Sequence, residues 1–477
     1  MTSFMPAVVS KPLIHGAERL RGAIANVSWG PLLFISKVAV TTLLSRIEVG
    51  QVVVENETTG ETNTYGQKSA QENPKLVNGL HDAHTKSPSL LTAKLIVKKE
   101  SFWVRLFLFG DMGFAEAFML GDVECEDLTI FFEIFIYNRN QLANATTLTS
   151  SLTTTITGLA RGTNTLANSL LNAVAHYDIS NDMFSAFLSP DMTYSCPIWR
   201  SAHAHADADN LETLEEAQMT KLHRFIDGAK IKATDHVLEI GTGWGSFAIE
   251  AVRSTGCRVT SLTLSAEQKS LADQRIAAAS LQDKIEVLLM DYRELPKLNQ
   301  LFDKIVSIEM LEAVGREYLE TYFGCIHQVL KKDGIAVFQC ITMSEGRYEA
   351  YAKGEDFIRK YIFPGGHLPS ICKLVQAISK GSDGTLIVER IENIGGHYAK
   401  TLRLWKEEFI LNFESKIKPA LMRDHKEMGE REIEVFRKKW IYYFVYCEAG
   451  FATKTLGDVI ITVGREGAME LMEGIPR

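Results

Sequence analysis

VLEIGTGWG, residues 237–245, decides the fold. A short apolar run, Val237 to Ile240, enters a G-x-G-x-G turn with an acid, Glu239, two residues before the first glycine; Ser246 to Val252 then reads as a helix. A buried strand, a glycine turn and a helix N-terminus in that order let the backbone bend sharply, approach a ligand closely and offer it unpaired N–H groups. Working outward, the alternation continues through strand Arg258–Leu264, helix Ala266–Ala279, strands Ile285–Met290 and Lys304–Ile308, helix Tyr318–Leu330 and strand Ile335–Cys340. A last strand, Val459–Val463, follows a turn at Gly457. Repeated βα units predict an α/β fold with a mostly parallel sheet and helices on both faces.

Three nucleotide-type ligands could use such a turn. A P-loop needs Gly-Lys-Ser/Thr, which is absent. A dinucleotide site needs G-x-G-x-x-G and an acid about 20 residues on; here the third glycine falls one position early and the next strand ends in Ser261-Leu262-Thr263. S-adenosylmethionine has no pyrophosphate, so Glu239 suits its cationic amino group and bare glycine backbone suits its flat nucleoside. Such turns also occur purely for packing, and the turn alone leaves both readings open.

The rest of the chain bounds the answer. Its 477 residues predict two or three domains at roughly 150 residues each. With 46% hydrophobic and 23% charged residues the composition is that of a folded globular protein. A net charge of −8 argues against general nucleic-acid binding, which needs basic surface. The longest early apolar run, Pro31 to Leu44, is broken by Lys37 and falls short of the roughly 20 residues that span a bilayer. No secretory signal is evident. Cys125, Cys196, Cys257, Cys325, Cys340, Cys372 and Cys447 are scattered without C-x-x-C spacing, which predicts reduced thiols in a cytoplasmic protein and no metal site. Gln51 to Lys86 reads as a strand leading into a flexible loop, Leu95–Val97 and Phe102–Phe109 as strands, and Leu128–Phe135 as a helix. The threonine-rich stretch Ala145–Asn168 reads as a linker, so residues 1–165 are expected to form a smaller N-terminal α+β domain and residues 166–477 the catalytic domain.

Several segments, in collinear order, carry a family resemblance: HYDISNDMF (176–184), MTYSC (192–196), LEIGTGWG (238–245), TLSAEQ (263–268), FDKIVSIEMLEAVG (302–315), YIFPGGHLPS (361–370), HYAKTL (397–402) and YCEAGF (446–451). They resemble the cyclopropane-fatty-acyl-phospholipid synthases, S-adenosylmethionine-dependent enzymes that include the mycolic acid cyclopropane synthases. FGDMGFAEAFMLGDVECEDLT (109–129) resembles the N-terminal domain of the longer, phospholipid-acting members, while EMLEAVG and IFPGG sit nearest the eukaryotic branch from plants and fungi. The resemblance implies a Rossmann-like class I methyltransferase sheet with helical insertions. It also implies transfer of the sulfonium methyl to a cis double bond of a phospholipid acyl chain, followed by proton loss and ring closure.

The resemblance implies the site as well. A bicarbonate ion would act as base, held by Cys196, Glu312 and Tyr398, with Cys447 as a further pocket residue. Bacterial members usually carry histidine at the positions of Gln339 and Ala313; Gln339 can still donate a hydrogen bond to an anion but cannot carry charge. The cofactor would be met by Tyr194 and Ser195 at the mouth, Glu239, Gly241, Gly243 and Gly245 at the turn, Thr263, Leu264 and Gln268 after the second strand, and Asp291 and Tyr292 after the third. The proline-glycine segment Tyr361–Pro369 reads as a lid over the acyl tunnel.

Duller roles compete for each residue: core packing for Cys196 and Cys447, a helix cap for Glu312, a buried hydroxyl for Tyr398, core-facing aromatics for Trp405, Phe409 and Phe413. Their joint occurrence in order favours the catalytic reading. Expected partners are membrane phospholipid, met by peripheral and largely apolar contact through Leu13–Leu44 or Phe102–Phe109, and, as an open alternative, a second copy in a homodimer. Competing functions are a C-methyltransferase that leaves a methyl branch, methylation of a sphingolipid or a nitrogen, and an inactive lipid-binding protein.

Overall fold

The computed structural model describes residues 29–67, 91–146, 170–171, 179–200 and 212–476. The chain divides into two compact units, residues 1–126 with 137–162 and residues 127–136 with 163–477. The expected linker lies almost wholly outside the described residues, as do His176 and Tyr177 of the first motif.

In the smaller unit, helix α1 (Trp29–Leu44) packs on α2 (Ser101–Met119), and β1 (Gly50–Asn56), β2 (Glu61–Gln67), β3 (Thr92–Val97) and β4 (Val123–Cys125) form a sheet of order β2-β1-β3-β4. Alternate residues of β1, Val52 and Val54 among them, point into the core, as a sheet with one covered face requires. Two sequence expectations change here. The polar stretch after β1 is not loop throughout: residues 61–67 return as the second strand of a hairpin, because threonine and tyrosine suit a pleated, exposed edge. Phe102–Phe109 is helical rather than a strand; Phe102, Trp103 and Val104 are buried in succession, a pattern no alternating strand gives, and a short apolar run does not reveal its own period. Gly110, at φ 58° and ψ −132°, kinks α2 just beyond that run.

The larger unit is a seven-stranded sheet of β5 (His236–Ile240), β6 (Arg258–Thr263), β7 (Ile285–Leu289), β8 (Phe302–Ile308), β9 (Leu330–Met343), β10 (Leu386–Asn393) and β11 (Leu456–Arg465). Its order is β10-β11-β9-β8-β5-β6-β7, with β5 to β9 mutually parallel and β11 antiparallel between β9 and β10. Every residue of β5 is buried because helices cover both faces, and Leu238, Ile240, Leu262, Ile305, Phe323, Phe338 and Ile378 share one core. From β5 the chain builds outward through β6 and β7, then crosses to add β8 and β9 on the other side. The order therefore reverses between β5 and β8, and the crevice beyond their C-terminal ends is where sheets of this kind bind ligands. The expected class I methyltransferase-type α/β sheet is the one found.

Helix α3 (Leu128–Tyr137) belongs with this larger unit, its Phe132 ring lying edge-on to Tyr442 at 5.3 Å and Tyr446 at 5.5 Å. Trp405, Phe409 and Phe413 are core residues, all at most 2% exposed.

Candidate active site

The glycine turn follows β5 directly. Gly241, Gly243 and Gly245 have φ of 101°, 51° and 87°, the left-handed region that only glycine occupies freely. The N–H groups of Gly241 and Thr242 both donate to Leu262 O, at 2.9 and 3.0 Å, which ties the turn to β6. A Cβ added at Gly243 would meet nothing within 4 Å, so the turn presents bare backbone to open space there. Glu239 faces inward: its carboxyl accepts from Ser261 Oγ, which pairs with Thr242 Oγ1 at 2.6 Å, and burial pushes its pKa up to about 8. At the end of β6, Thr263 Oγ1 donates to Gln268 Oε1 at 3.0 Å, while the Leu264 side chain stands 74% exposed beside them. At the end of β7, the Asp291 carboxylate is gripped by Arg293 through Nε at 2.9 Å and Nη2 at 2.5 Å, and Tyr292 packs on Tyr322 at 5.0 Å. Glu239, the three glycines, Thr263, Leu264, Gln268, Asp291 and Tyr292 thus lie along the C-terminal ends of three adjacent strands, with Glu239 beneath the turn and the Asp291 carboxylate already paired.

Across the switch point a second constellation gathers. Glu309, the residue after β8, sits at φ 48°. Its Oε1 accepts from the Cys196 backbone N–H at 2.7 Å and from Gln339 Nε2 at 2.8 Å; its Oε2 accepts from the Tyr398 hydroxyl at 2.6 Å. Gln339 Nε2 also donates to Asp458 Oδ2 at 2.7 Å, and Asp458 lies close enough to Glu309 to share a proton with it. Glu312 Oε1 accepts from the Ile341 N–H at 2.5 Å. Cys196, Gln339, Asp458 and Tyr398 are enclosed, whereas Glu309 and Glu312 are half-buried as residues. The segment expected to be a lid is tied to this site, since His367 N–H donates to Glu312 O at 2.8 Å.

Three carboxyls so close cannot all ionise. Burial raises the pKa of each; that of Glu312 reaches about 8, with the neighbouring Glu309 adding to the shift, and that of Asp458 goes well above the usual carboxylate range. Hydrogen bonds from Cys196 and Tyr398 oppose the rise at Glu309. Lys221 supplies a buried cation, with Nζ donating to Ser195 Oγ at 2.7 Å and its pKa pushed down to about 8 by burial. Glu312 Oε2, Gln339 Oε1 and Asp458 Oδ1 are buried without a hydrogen-bond partner, so the cluster is short of donors.

Cys196, Gln339 and Tyr398, drawn from three remote segments, converge on one point, with Glu312 alongside. The role of Cys196 there belongs to its backbone: the thiol turns toward Pro197 O at 3.5 Å and Ile394 O at 3.7 Å, and burial raises its pKa. Tyr194 is part of an aromatic wall, with its hydroxyl 2.9 Å from that of Tyr443 and its ring 5.1 Å from Trp405, which in turn lies 5.9 Å from Tyr398. Cys447 lies on the Tyr194 and Tyr443 side of that wall, its thiol pKa raised by burial. Bicarbonate does not fit this arrangement. The donors expected to hold it already serve the Glu309 carboxylate, and another anion would bring further acceptors to a cluster that lacks donors.

Glu309, Asp458 and Lys221 escaped the reading of the sequence. A signal existed for two of them: Lys221 falls on the buried stripe of Ala217, Gln218, Leu222 and Phe225 in helix α4 (Leu214–Gly228), and Asp458 stands directly before the apolar run Val459–Ile461 of its strand.

The chain is similar to several known proteins. The family described as mycolic acid cyclopropane synthetase matches residues 165–460. The tuberculostearic acid methyltransferase UfaA1 of Mycobacterium tuberculosis is 34% identical over 81% of this chain and 85% of its own length. The cyclopropane-fatty-acyl-phospholipid synthase of Escherichia coli K12 is 32% identical over 80% of this chain and 90% of its own. Among solved structures, the cyclopropane synthase MmaA2 from M. tuberculosis covers 62% of this chain and 98% of its own at 26% identity and TM-score 0.51. The mycolic acid cyclopropane synthase CmaA1, complexed with SAH and CTAB, covers the same shares at 29% identity and TM-score 0.50.

Proposed function

The chain belongs to the mycolic acid cyclopropane synthetase family, and from that premise we propose that it transfers a methylene group from S-adenosylmethionine to the cis double bond of an unsaturated phospholipid acyl chain, forming a cyclopropane fatty acid. We place it, on EMLEAVG and IFPGG, in the plant and fungal branch. The observation that carries the reading is the convergence of Cys196, Gln339 and Tyr398 on one carboxylate at the switch point, beside an aromatic wall.

Bound S-adenosylmethionine supplies an electrophilic methyl. The bare backbone at Gly243 fits it, and the turn, Leu264 and Gln268 would hold its nucleoside end. Glu239 would act from beneath, fixing the turn through Ser261 and Thr242. An alkene is a weak nucleophile, so the chain must position it and exclude water. Tyr194, half-buried and backed by Trp405 and Tyr398, would turn its ring toward the acyl chain, a face that favours positive charge developing on the acyl carbon. Substrate would be drawn from a membrane surface. Among the described residues no helix is long and apolar enough to cross a membrane, but Phe34, Ile35 and Val38 of α1 are 68%, 55% and 48% exposed and form an apolar face for peripheral contact.

Likeness to a relative named as a methyltransferase rather than a cyclopropane synthase favours a second reading, C-methylation leaving a branch. Purified protein incubated with labelled S-adenosylmethionine and monounsaturated phospholipid vesicles separates them. A fatty acid heavier by one CH₂ and resistant to hydrogenation is the ring; an unsaturated or branched product is the second reading, and no labelled lipid refutes both.

A further inference from the structure

The expected anion and the residues that were to hold it disagree, and the disagreement assigns a role. We propose that the Glu309 carboxylate is the base of the reaction, built into the chain where the family resemblance calls for a bound bicarbonate. This rests on the transfer chemistry proposed above and holds for either product.

Position comes first. The donors expected to face the anion, together with the Cys196 backbone N–H, all terminate on Glu309, two on Oε1 and one on Oε2. Three donors on one carboxylate favour its ionised form, which is the form a base requires. Its neighbours take the opposite state: Glu312 Oε2 and Asp458 Oδ1 lack donors, which a proton retained on each carboxyl relieves. Glu309 is half-buried as a residue, whereas Gln339 and Asp458 are fully enclosed, so of the three it is the one set toward the substrate.

Backbone geometry adds an independent observation. A φ of 48° suits glycine and disfavours a residue with a Cβ. Such a conformation persists in a side-chain-bearing residue where the surrounding structure imposes it, and these positions concentrate at functional sites. Here the side chain thrown into the recess is a carboxylate directly after β8, at the switch point.

The step balances without a further reactant. The alkene π pair forms a C–C bond to the sulfonium methyl while the C–S pair leaves on sulfur, and the neighbouring acyl carbon becomes cationic. Glu309 takes a proton from the transferred carbon, and the freed C–H pair closes the ring. If Glu309 instead takes a proton from the adjoining chain carbon, that pair forms a new double bond and a methyl branch remains. In both cases one proton rests on Glu309, to be lost to solvent.

Glu309→Gly and Glu309→Gln test this. Glycine relaxes the backbone and opens a carboxylate-sized space bounded by Cys196, Gln339 and Tyr398; glutamine fills it with a group that cannot accept the proton. Both variants should bind S-adenosylmethionine within about 2-fold of wild type by calorimetry, which controls for folding, while lipid turnover falls by about 100-fold or more. Added bicarbonate, formate or acetate should restore Glu309→Gly at least about 10-fold and leave Glu309→Gln unrestored. Wild type should keep its full rate in bicarbonate-free buffer. Binding of ¹³C-bicarbonate, read by NMR line shape, is expected for Glu309→Gly alone. Saturable ¹³C-bicarbonate binding by wild type at this site overturns the proposal whatever the activity, as does a wild-type rate that collapses without bicarbonate or a Glu309→Gln variant that turns over normally. Failure of wild type to label any lipid counts instead against the reaction proposed, and the NMR arm still decides whether Glu309 replaces the anion.

Discussion

Tyr398→Phe isolates what one hydroxyl does for the base. The Tyr398 ring stacks on Phe451 with centroids 4.6 Å apart and meets Trp405 at 5.9 Å, and phenylalanine keeps both contacts. What it loses is the 2.6 Å hydrogen bond to Glu309 Oε2. A hydrogen bond to a charged group contributes about 1.5–3 kcal/mol. At about 1.4 kcal/mol per pKa unit, its loss raises the Glu309 pKa by about one to two units. The sign follows from which form is used: the donor favours the ionised carboxylate, so removing it favours the protonated, inactive one. The acid limb of the pH profile for lipid methylation should therefore move up by one to two units, with the rate approaching wild type at high pH. Initial rates from pH 5 to 9 with labelled S-adenosylmethionine, alongside cofactor titration by calorimetry, read this directly. A uniform fall in rate at every pH with the limb unmoved would refute the reasoning, because Tyr398 would then act by some route other than the Glu309 carboxylate.

Gly243→Ala tests the cofactor turn. The added methyl meets no protein atom within 4 Å, so only the φ of 51° is penalised, by about 1–2 kcal/mol of stability, whereas S-adenosylmethionine affinity should fall at least about 10-fold; unchanged affinity would place the cofactor elsewhere. Glu312 gives a stability signature. Its folded pKa is raised from 4.5 to about 8, so its stabilising contribution is complete below 4.5 and is lost as pH rises through about 8, at up to about 1.4 kcal/mol per pH unit in that window. Glu312→Gln should flatten this part of the melting temperature profile, and a profile as steep as wild type would contradict a buried, protonated Glu312.

Much of the fold is legible because its signals are local and periodic. The strand, turn and helix at 236–255 declare themselves by an apolar run, three glycines and helical spacing, and β11 by its run of branched residues. β10 escapes because LIVERIEN, on the edge of the sheet, is mostly exposed and mixes charge with apolar residues. Phe102–Phe109 escapes for the opposite reason, since it is apolar but for Arg105 and shows no period. At the site, Cys196, Gln339 and Tyr398 are legible through their motifs, but which atom of each acts is not: a backbone N–H, an amide nitrogen and a hydroxyl. Glu309 stands in the same motif as Glu312 but gives no signal of its own, because its left-handed backbone and its three donors arise only when segments 113, 30 and 89 residues away in sequence close around it.

In the proposed transfer the incoming carbon loses one hydrogen to a base. S-adenosylmethionine carrying a CD₃ group, supplied with monounsaturated phospholipid vesicles, counts that loss. Mass spectrometry of the released fatty acids should show the added carbon retaining two of its three deuterons in a saturated ring. An added carbon that keeps all three deuterons would contradict ring closure, and lipid without deuterium would contradict the transfer itself.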